Sequence, residues 1–239
     1  MADPLVVQLR RTCAGTVTAD APLAPLTTLK VGGAARVSVQ AASVDDLAAI
    51  GAACRDHGVP WLVVGRGSNL LVADTGFPGV AITLGRAFRG VEVDGTRVRV
   101  GAAEPLPILA LRCAEAGLRG LAFGAAIPGS VGGAVRMNAG AHGREIRDVL
   151  LDAQVVRLAS GEGSVLTRDE LDFSYRHSAL PHDAVVTAGT FELEPGDVAT
   201  EHAEIAEVKS WRRAHQPINH PSCGSVFTNP PGDSAGRLV

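Results

Sequence analysis

The chain carries few of the features that mark a special environment. Its 239 residues include four cysteines, Cys13, Cys54, Cys113 and Cys223, far apart and with no CxxC pair. They read as free thiols in a reducing cytoplasm, with no metal site. A net charge of −3 argues against a dedicated nucleic-acid binder. No run of like charge forms a tail or a lipid-binding patch. The sixteen uncharged residues from Gly120 to Val135 are broken by glycine and proline and are too short for a membrane span. Arg10 and Arg11 follow an apolar stretch instead of preceding it, the reverse of a signal peptide. There is no internal repeat, no low-complexity linker, no GxSxG elbow and no GxGxxG opening a helix after a strand, which sets aside the Rossmann solution. What remains, 46% hydrophobic and 20% charged, is an ordinary globular composition, long enough for one large domain or two modest ones.

Side chain is scarcest in residues 124–143, GAAIPGSVGGAVRMNAGAHG, with six glycines, five alanines and Arg136 as the only full charge. Glycine loses the most backbone entropy on folding, so such a cluster usually means that backbone must approach something closely.

Around it the pattern is α+β, with helices and strands mixed but not in steady βαβ alternation. Residues 4–13 read as a short helix or arm and 16–33 as extended chain. Strands are predicted at 35–40, 61–65, 79–84 and 184–193. Hairpins are predicted at 91–100, turning at Asp94-Gly95, and at 152–167. Helices are predicted from Ser43 to Gly58, at 105–117 and at 197–215, with one helical turn at 167–171. Boundaries near residues 85 and 196 give segments 1–85, 86–196 and 197–239.

Four segments could carry chemistry. In VVGRGSNLLV (63–72) a buried strand ends in a loop where Gly65, Gly67 and Ser68 can present successive N–H groups to phosphate oxygens, with Arg66 adding charge. By spacing alone it is equally a strand-to-strand turn. IPGSVGGA (127–134) gives a second such loop, and Asn138 with Gly140 a third polar turn. Two loops short of side chains suggest one extended ligand such as a dinucleotide, whose pyrophosphate needs backbone within hydrogen-bond range. FSYRHS (173–178) holds the only tyrosine, Tyr175, beside Arg176, a candidate carboxylate or phosphate clamp or simply a surface arginine. QPINHPSCGSVFTNP (216–230) places a serine after glycine at a β-rich SVF, a hydroxyl for a cleft or a plain hairpin edge.

Taken in order, GRGSNLL, GAAIPGSVGGAVRMNAGAHG, FSYRHS and SCGSVFTNP…AGRL, with TTLKVGGAA at 27–35, resemble the UDP-N-acetylenolpyruvoylglucosamine reductase family. The resemblance runs from about residue 23 to the last. It implies a flavin-binding fold of the vanillyl-alcohol oxidase (PCMH) type, with two flavin-binding subdomains and an incomplete α+β substrate-binding domain. It implies non-covalent FAD, since the first loop reads Gly-Ser-Asn where covalent relatives place histidine. The implied cofactor residues are Gly65, Arg66, Gly67, Ser68, Asn69 and Leu70; Ile127, Pro128, Gly129, Ser130, Gly132 and Gly133; and Asn138, Ala139, Gly140 and Ala141. NADPH is the implied reductant and an enolpyruvyl UDP-sugar the substrate, in a cytoplasmic step of peptidoglycan precursor synthesis. Arg176 would steady the charge that develops toward the substrate carboxylate. Ser225 would supply the proton, and Tyr175 and Asn229 would contact substrate. No metal, nucleic acid or membrane partner is expected, and the sequence assigns no oligomeric state. Family members continue past the final AGRLV and carry there a glutamate with no counterpart here. The chain is therefore expected to be a truncated member, weak or inactive alone; the alternatives are a flavin or nucleotide-sugar binding module without activity, or another FAD oxidoreductase of the same superfamily.

Overall fold

The computed structural model describes residues 3–217, 219–224 and 226–239. The chain opens with α1 (Pro4–Thr12) and β1 (Thr16–Pro22), then β2 (Ala34–Ala41), α2 (Val44–Asp56), β3 (Trp61–Val63) and β4 (Phe77–Leu84). Next come β5 (Val91–Asp94), β6 (Arg97–Gly101), α3 (Leu106–Glu115), β7 (Leu118–Arg119) and α4 (Val131–Arg136). Then follow β8 (Gly140–Ala141), β9 (Arg144–Glu145), β10 (Leu150–Arg157), β11 (Gly163–Thr167), β12 (Ala184–Glu192) and β13 (Glu194–Pro195). The last elements are α5 (Val198–His215) and α6 (Ala235–Leu238).

A four-stranded mixed sheet has the order β1-β2-β4-β3, with β1 antiparallel and the rest parallel. Its central strand β4 is buried at Val80, Ala81 and Ile82 in succession, as a strand covered on both faces requires. On one face Val80 and Ile82 pack with Leu5 and Leu9 of α1 and with Leu47 and Ile50 of α2. On the other, Ala81 meets Leu23, Ala35 and Val64. A nine-residue helix is marginal alone, and the two buried leucines of α1, worth about 1.5–3 kcal/mol each, dock it. Ser43 caps α2 by accepting from the Asp46 N–H at 3.2 Å. The Asp46 carboxylate does not close a capping box. It accepts instead from the N–H groups of Ala14, Gly15 and Ala42 at 2.7–3.0 Å, fastening the α1–β1 connection to the helix.

The second sheet is antiparallel throughout, in the order β11-β10-β12-β6-β5. Its core gathers Val98, Val100, Leu106, Leu109, Val131, Val135, Leu150, Val186 and Phe191. The far ends of β10 and β12 leave this core: Val156, Leu158 and Val185 pack in the first. Gly51 of α2 admits the Leu158 carbonyl where a Cβ would clash, and Arg55 Nη1 donates to that carbonyl at 2.7 Å. α5 lies along α3, with Ile205 against Ala110, Ala114, Ala122 and Ala125.

Several local expectations need correction. Residues 16–22 form a paired strand, not merely extended chain. The first hairpin turns at Gly95-Thr96, because Asp94 already pairs with Arg97. Residues 167–171 make the Thr167–Glu170 capping bonds but no helix, and Asp172 at φ +36° ends the turn. Val226 and Phe227 are in no strand and are 72% and 61% exposed.

Candidate functional site

The first loop begins where β3 runs out. Val64 N–H donates to the Ile82 carbonyl at 2.8 Å, the last such tie to β4. From Gly65 to Leu71 no backbone N–H makes a well-formed hydrogen bond to a protein acceptor among the described residues, although Ser68 and Asn69 lie in a turn. Gly67 adopts φ +63°, and a Cβ on it would collide with the Leu26 carbonyl and Thr27. Its own carbonyl accepts from the Thr28 N–H and hydroxyl at 3.1 and 3.3 Å. The TTLK segment is thus the back wall of the loop. A run of unpaired amides around a left-handed residue is a backbone nest suited to anionic oxygens.

The second loop packs directly on the first. A Cβ on Gly65 would lie 2.5 Å from Ser130 Oγ, and one on Gly129 would lie 3.7 Å from Ser68 Oγ. Arg66 Nε donates to the Pro128 carbonyl at 3.3 Å. Ser130 caps α4 by accepting from Gly133 N–H, and the Gly129 and Ser130 amides have no protein acceptor among the described residues. The α4 amides that follow are engaged: Val131 N–H donates to the Glu104 carbonyl and Gly132 N–H to that of Ala102, both at 2.9 Å. Gly132 is glycine for packing, since a Cβ there would sit 3.0 Å from the Ala102 methyl. Gly133 is exposed. Leu70 packs in the core beneath the first loop and Ile127 against the second core. Asn69 is exposed.

α4 carries the chain from this contact to the arginine turn, a span of roughly 9 Å at 1.5 Å per residue. Beyond it, Asn138 is 1% exposed and left-handed at φ +41°. Its Nδ2 donates to Glu145 Oε2 at 2.9 Å and to the Ser174 carbonyl at 3.0 Å, and its Oδ1 accepts from Arg147 N–H at 3.0 Å. Its side chain is therefore fully engaged within the protein. Ala139 is buried in the second core, and Gly140 and Ala141 pair with Glu145 and Arg144 in the β8–β9 hairpin.

Ser174 and His177 exchange both backbone hydrogen bonds at 3.1 Å, leaving Tyr175 and Arg176 at the tip. Arg176 sits at φ +57°, a left-handed conformation that costs a non-glycine residue about 1–2 kcal/mol. Its guanidinium carbon lies 5.7 Å from the centre of the half-exposed Tyr175 ring, a cation–π contact. Such a strained, presented arginine is the kind of residue a functional site holds. Of the last segment, Ser225 lies outside the described residues. Asn229 is exposed and its Oδ1 accepts from Ala235 N–H at 2.9 Å, so it is tied to α6 and not to the loops.

The comparisons with known proteins decide the family. Residues 35–166 match the FAD binding domain family. The UDP-N-acetylenolpyruvoylglucosamine reductase of Azorhizobium caulinodans is 47% identical over 225 residues, covering 94% of this chain and 72% of that protein. The chain belongs to the UDP-N-acetylenolpyruvoylglucosamine reductase family. The crystal structure of the reductase from Thermus caldophilus superposes with a TM-score of 0.80 at 36% identity, over 94% of this chain and 78% of that one. That of 6-hydroxy-D-nicotine oxidase from Arthrobacter nicotinovorans matches at a TM-score of 0.61 and 22% identity, over 82% of this chain and 44% of that one, a likeness of fold alone. The fold is thus the α+β FAD-binding fold of the vanillyl-alcohol oxidase type. Among the described residues no helix is long and apolar enough to cross a membrane, and no cluster of His, Cys, Asp or Glu could hold a metal.

Sequence reasoning missed Thr28, Arg136 and the bonding of Asn138. The first could have been suspected from its place in TTLKVGGAA. Arg136 acts on residues more than forty positions away and Asn138 reaches Ser174 thirty-six positions on, neither of which leaves a local signal.

Proposed function

We propose that the two packed loops and the arginine turn form one active site, with residues 65–70 and Gly129 and Ser130 holding the FAD pyrophosphate by backbone N–H groups, while Ile127 and Pro128 shape the second loop. The observation that carries this is the seating of Gly65 against Ser130, which merges two unpaired-amide loops into one surface. Glycine at 65 and 129 keeps that surface free of side chain, which fits a cofactor lying on backbone. Gly133, Gly140 and Ala141 extend the lining. Asn69, in place of a histidine, leaves the cofactor non-covalently held.

The protein is an FAD-dependent oxidoreductase that uses NADPH to reduce the enolpyruvyl ether of UDP-N-acetylglucosamine enolpyruvate to UDP-N-acetylmuramate, in peptidoglycan precursor synthesis. FAD held by these loops would supply hydride transfer from NADPH to the enol-ether double bond. Arg176 binds the substrate carboxylate, toward which negative charge spreads as the double bond is reduced. A guanidinium already fixed in a turn stabilises that charge without reorganising. Tyr175 shapes the approach by holding the guanidinium against its ring. The proton that completes the lactyl ether is assigned to the Ser225 hydroxyl and a substrate contact to Asn229, both from their place in GSVFTN. The division at 85/86 and 196/197 belongs to the same proposal. The first division is supported by the two sheets lying on either side of residue 85 in the sequence; α5 packs on α3 of the middle segment, so the second division rests on the family resemblance alone.

The test separates the half-reactions. Arg176→Lys keeps the charge but loses the planar fork. NADPH should bleach its flavin at close to the wild-type rate, while reoxidation by the enolpyruvyl UDP-sugar slows at least ~10-fold. Equal losses in both halves assign Arg176 to the cofactor or the fold.

A further inference from the structure

We propose that Asn138, seconded by Arg136, is a positioning residue that straps the Tyr175–Arg176 turn to the glycine-rich segment, so that the arginine and the FAD-binding loops keep one geometry. This rests on the functional reading above for what the arginine does, and on hydrogen bonds alone for the strap.

Three ties run from the segment after Ser130 to the loop that carries Arg176. Asn138 Nδ2 holds the Ser174 carbonyl, the first foot of the turn, at 3.0 Å. The Arg136 carbonyl accepts from Ser178 Oγ at 2.7 Å, just beyond the second foot. Arg136 Nη2 donates to the carbonyls of Pro181 and Ala184 at 3.1 and 2.7 Å, where the loop enters β12. Burial of Arg136 pushes its pKa below the usual arginine value, and the two carbonyls replace part of the water it has lost. The turn itself has only its two internal backbone bonds, and its tip residue is strained. Strain of this kind persists only where the surroundings over-determine it, and these ties are what surrounds it.

Asn138 meets needs that no other side chain of its size meets. It donates twice, to a carbonyl and a carboxylate, and accepts once from a backbone N–H, which also fixes the orientation of the amide. Aspartate would keep the acceptor for Arg147 N–H but set a carboxylate against both the Ser174 carbonyl and Glu145. The Glu145 side can be repaired by reversing the pair. In Asn138→Asp with Glu145→Gln, the glutamine amide donates to the new carboxylate, while the Ser174 carbonyl loses its tie to the glycine-rich segment and keeps only the His177 N–H of its own turn.

The experiment measures amide hydrogen exchange in the peptide spanning residues 171–180, which needs neither flavin nor substrate, and the two flavin half-reactions in parallel. Asn138→Asp should speed exchange of the Ser174 and His177 amides at least ~10-fold. It should slow reoxidation by substrate ~10–100-fold, the order expected for a displacement of about 1 Å, and leave reduction by NADPH within about twofold. Adding Glu145→Gln, which also gives up the pairing of Arg147 Nε with the same carboxylate oxygen at 2.9 Å, should recover part of the melting temperature and flavin content but neither the protection nor the reoxidation rate. Ser178→Ala should loosen the same peptide less. Unchanged exchange in Asn138→Asp overturns the strap. Looser exchange with normal reoxidation, or full rescue by Glu145→Gln, reduces Asn138 to a folding role. Should Arg176→Lys fail its own test, the functional reading fails, while the exchange data still decide the strap.

Discussion

Glu201 is 4% exposed in the first turn of α5, beside Gly196 and Arg119. Burial, and then the neighbouring Glu204 carboxylate, push its pKa above the usual value near 4.5, with Arg119 pulling weakly the other way. A carboxyl raised in the folded state stabilises below its unfolded pKa, and that contribution is lost as pH rises through the folded value. At neutral pH the folded protein therefore carries an unfavourable charge here. Glu201→Gln should raise the melting temperature by about 1–3 °C at pH 7, a fraction of a kcal/mol for a chain of this size. It should bring no gain near pH 4, where the wild-type carboxyl is already largely neutral. Thermal melts at the two pH values decide it; an equal gain at both would mean that charge is not the cause. Arg176 is the opposite case, its conformation costing stability in order to present a charged tip.

The glycines of the two loops serve different neighbours, and the elements around them show how to separate those roles. A Cβ on Gly67 points into the Leu26 carbonyl, so Gly67→Ala damages the protein before any ligand arrives. Gly129 has only ordinary contacts around its Cβ position. Gly129→Val should leave the flavin-free melting temperature within about 2 °C and weaken FAD binding at least ~10-fold. Gly67→Ala should lower the melting temperature by about 4 °C or more, on the scale of 2–4 °C per kcal/mol. Wild-type FAD affinity in Gly129→Val would mean that nothing approaches that backbone. Most elements could be read from the sequence, because capped helices such as α2 and alternating strands such as β2 announce themselves locally. Thr16–Pro22 could not: two prolines near its end and Asp20 at φ +48° hide a strand that exists by pairing with β2. The Thr167–Glu170 pair misled, because a cap signals a helix start and is silent on whether residues follow to continue it. Of the candidate site, the loops stood out by their glycines, while Arg176, by residue type equally a surface arginine, was picked out by the family resemblance. The strap was not legible, since Asn138 finds Ser174 only once the second sheet has formed.

At the scale of the molecule, each core holds one buried thiol. Cys54 belongs to the first and Cys113 to the second, and burial pushes them up to about 11 and about 12. A thiol reagent at pH 8 should therefore spare both in the native protein and label the partly exposed Cys223 first, with Cys13 slower because burial and the Asp46 carboxylate push its thiol up as well. Because Val156, Leu158 and Val185 of the second sheet pack in the first core, Cys54 and Cys113 should become reactive at the same urea concentration. Midpoints separated by more than about 0.5 M, against slopes of a few kcal/mol per molar, would show two independently melting units.

The strand order of the second sheet has a further consequence for a chain made from its N-terminus onward. β12 is the middle strand, yet it is the last of the five in sequence. Gly101 is translated long before its partner Ala188, a wait of roughly 4–17 s at about 5–20 residues per second. During that time the β5–β6 and β10–β11 hairpins each present an unpaired edge, the pairing surface on which aggregation begins. Release of β12 from the ribosome closes both edges at once, and by the same act brings the Tyr175–Arg176 turn, eight residues upstream of it, to its place against Arg136 and Asn138.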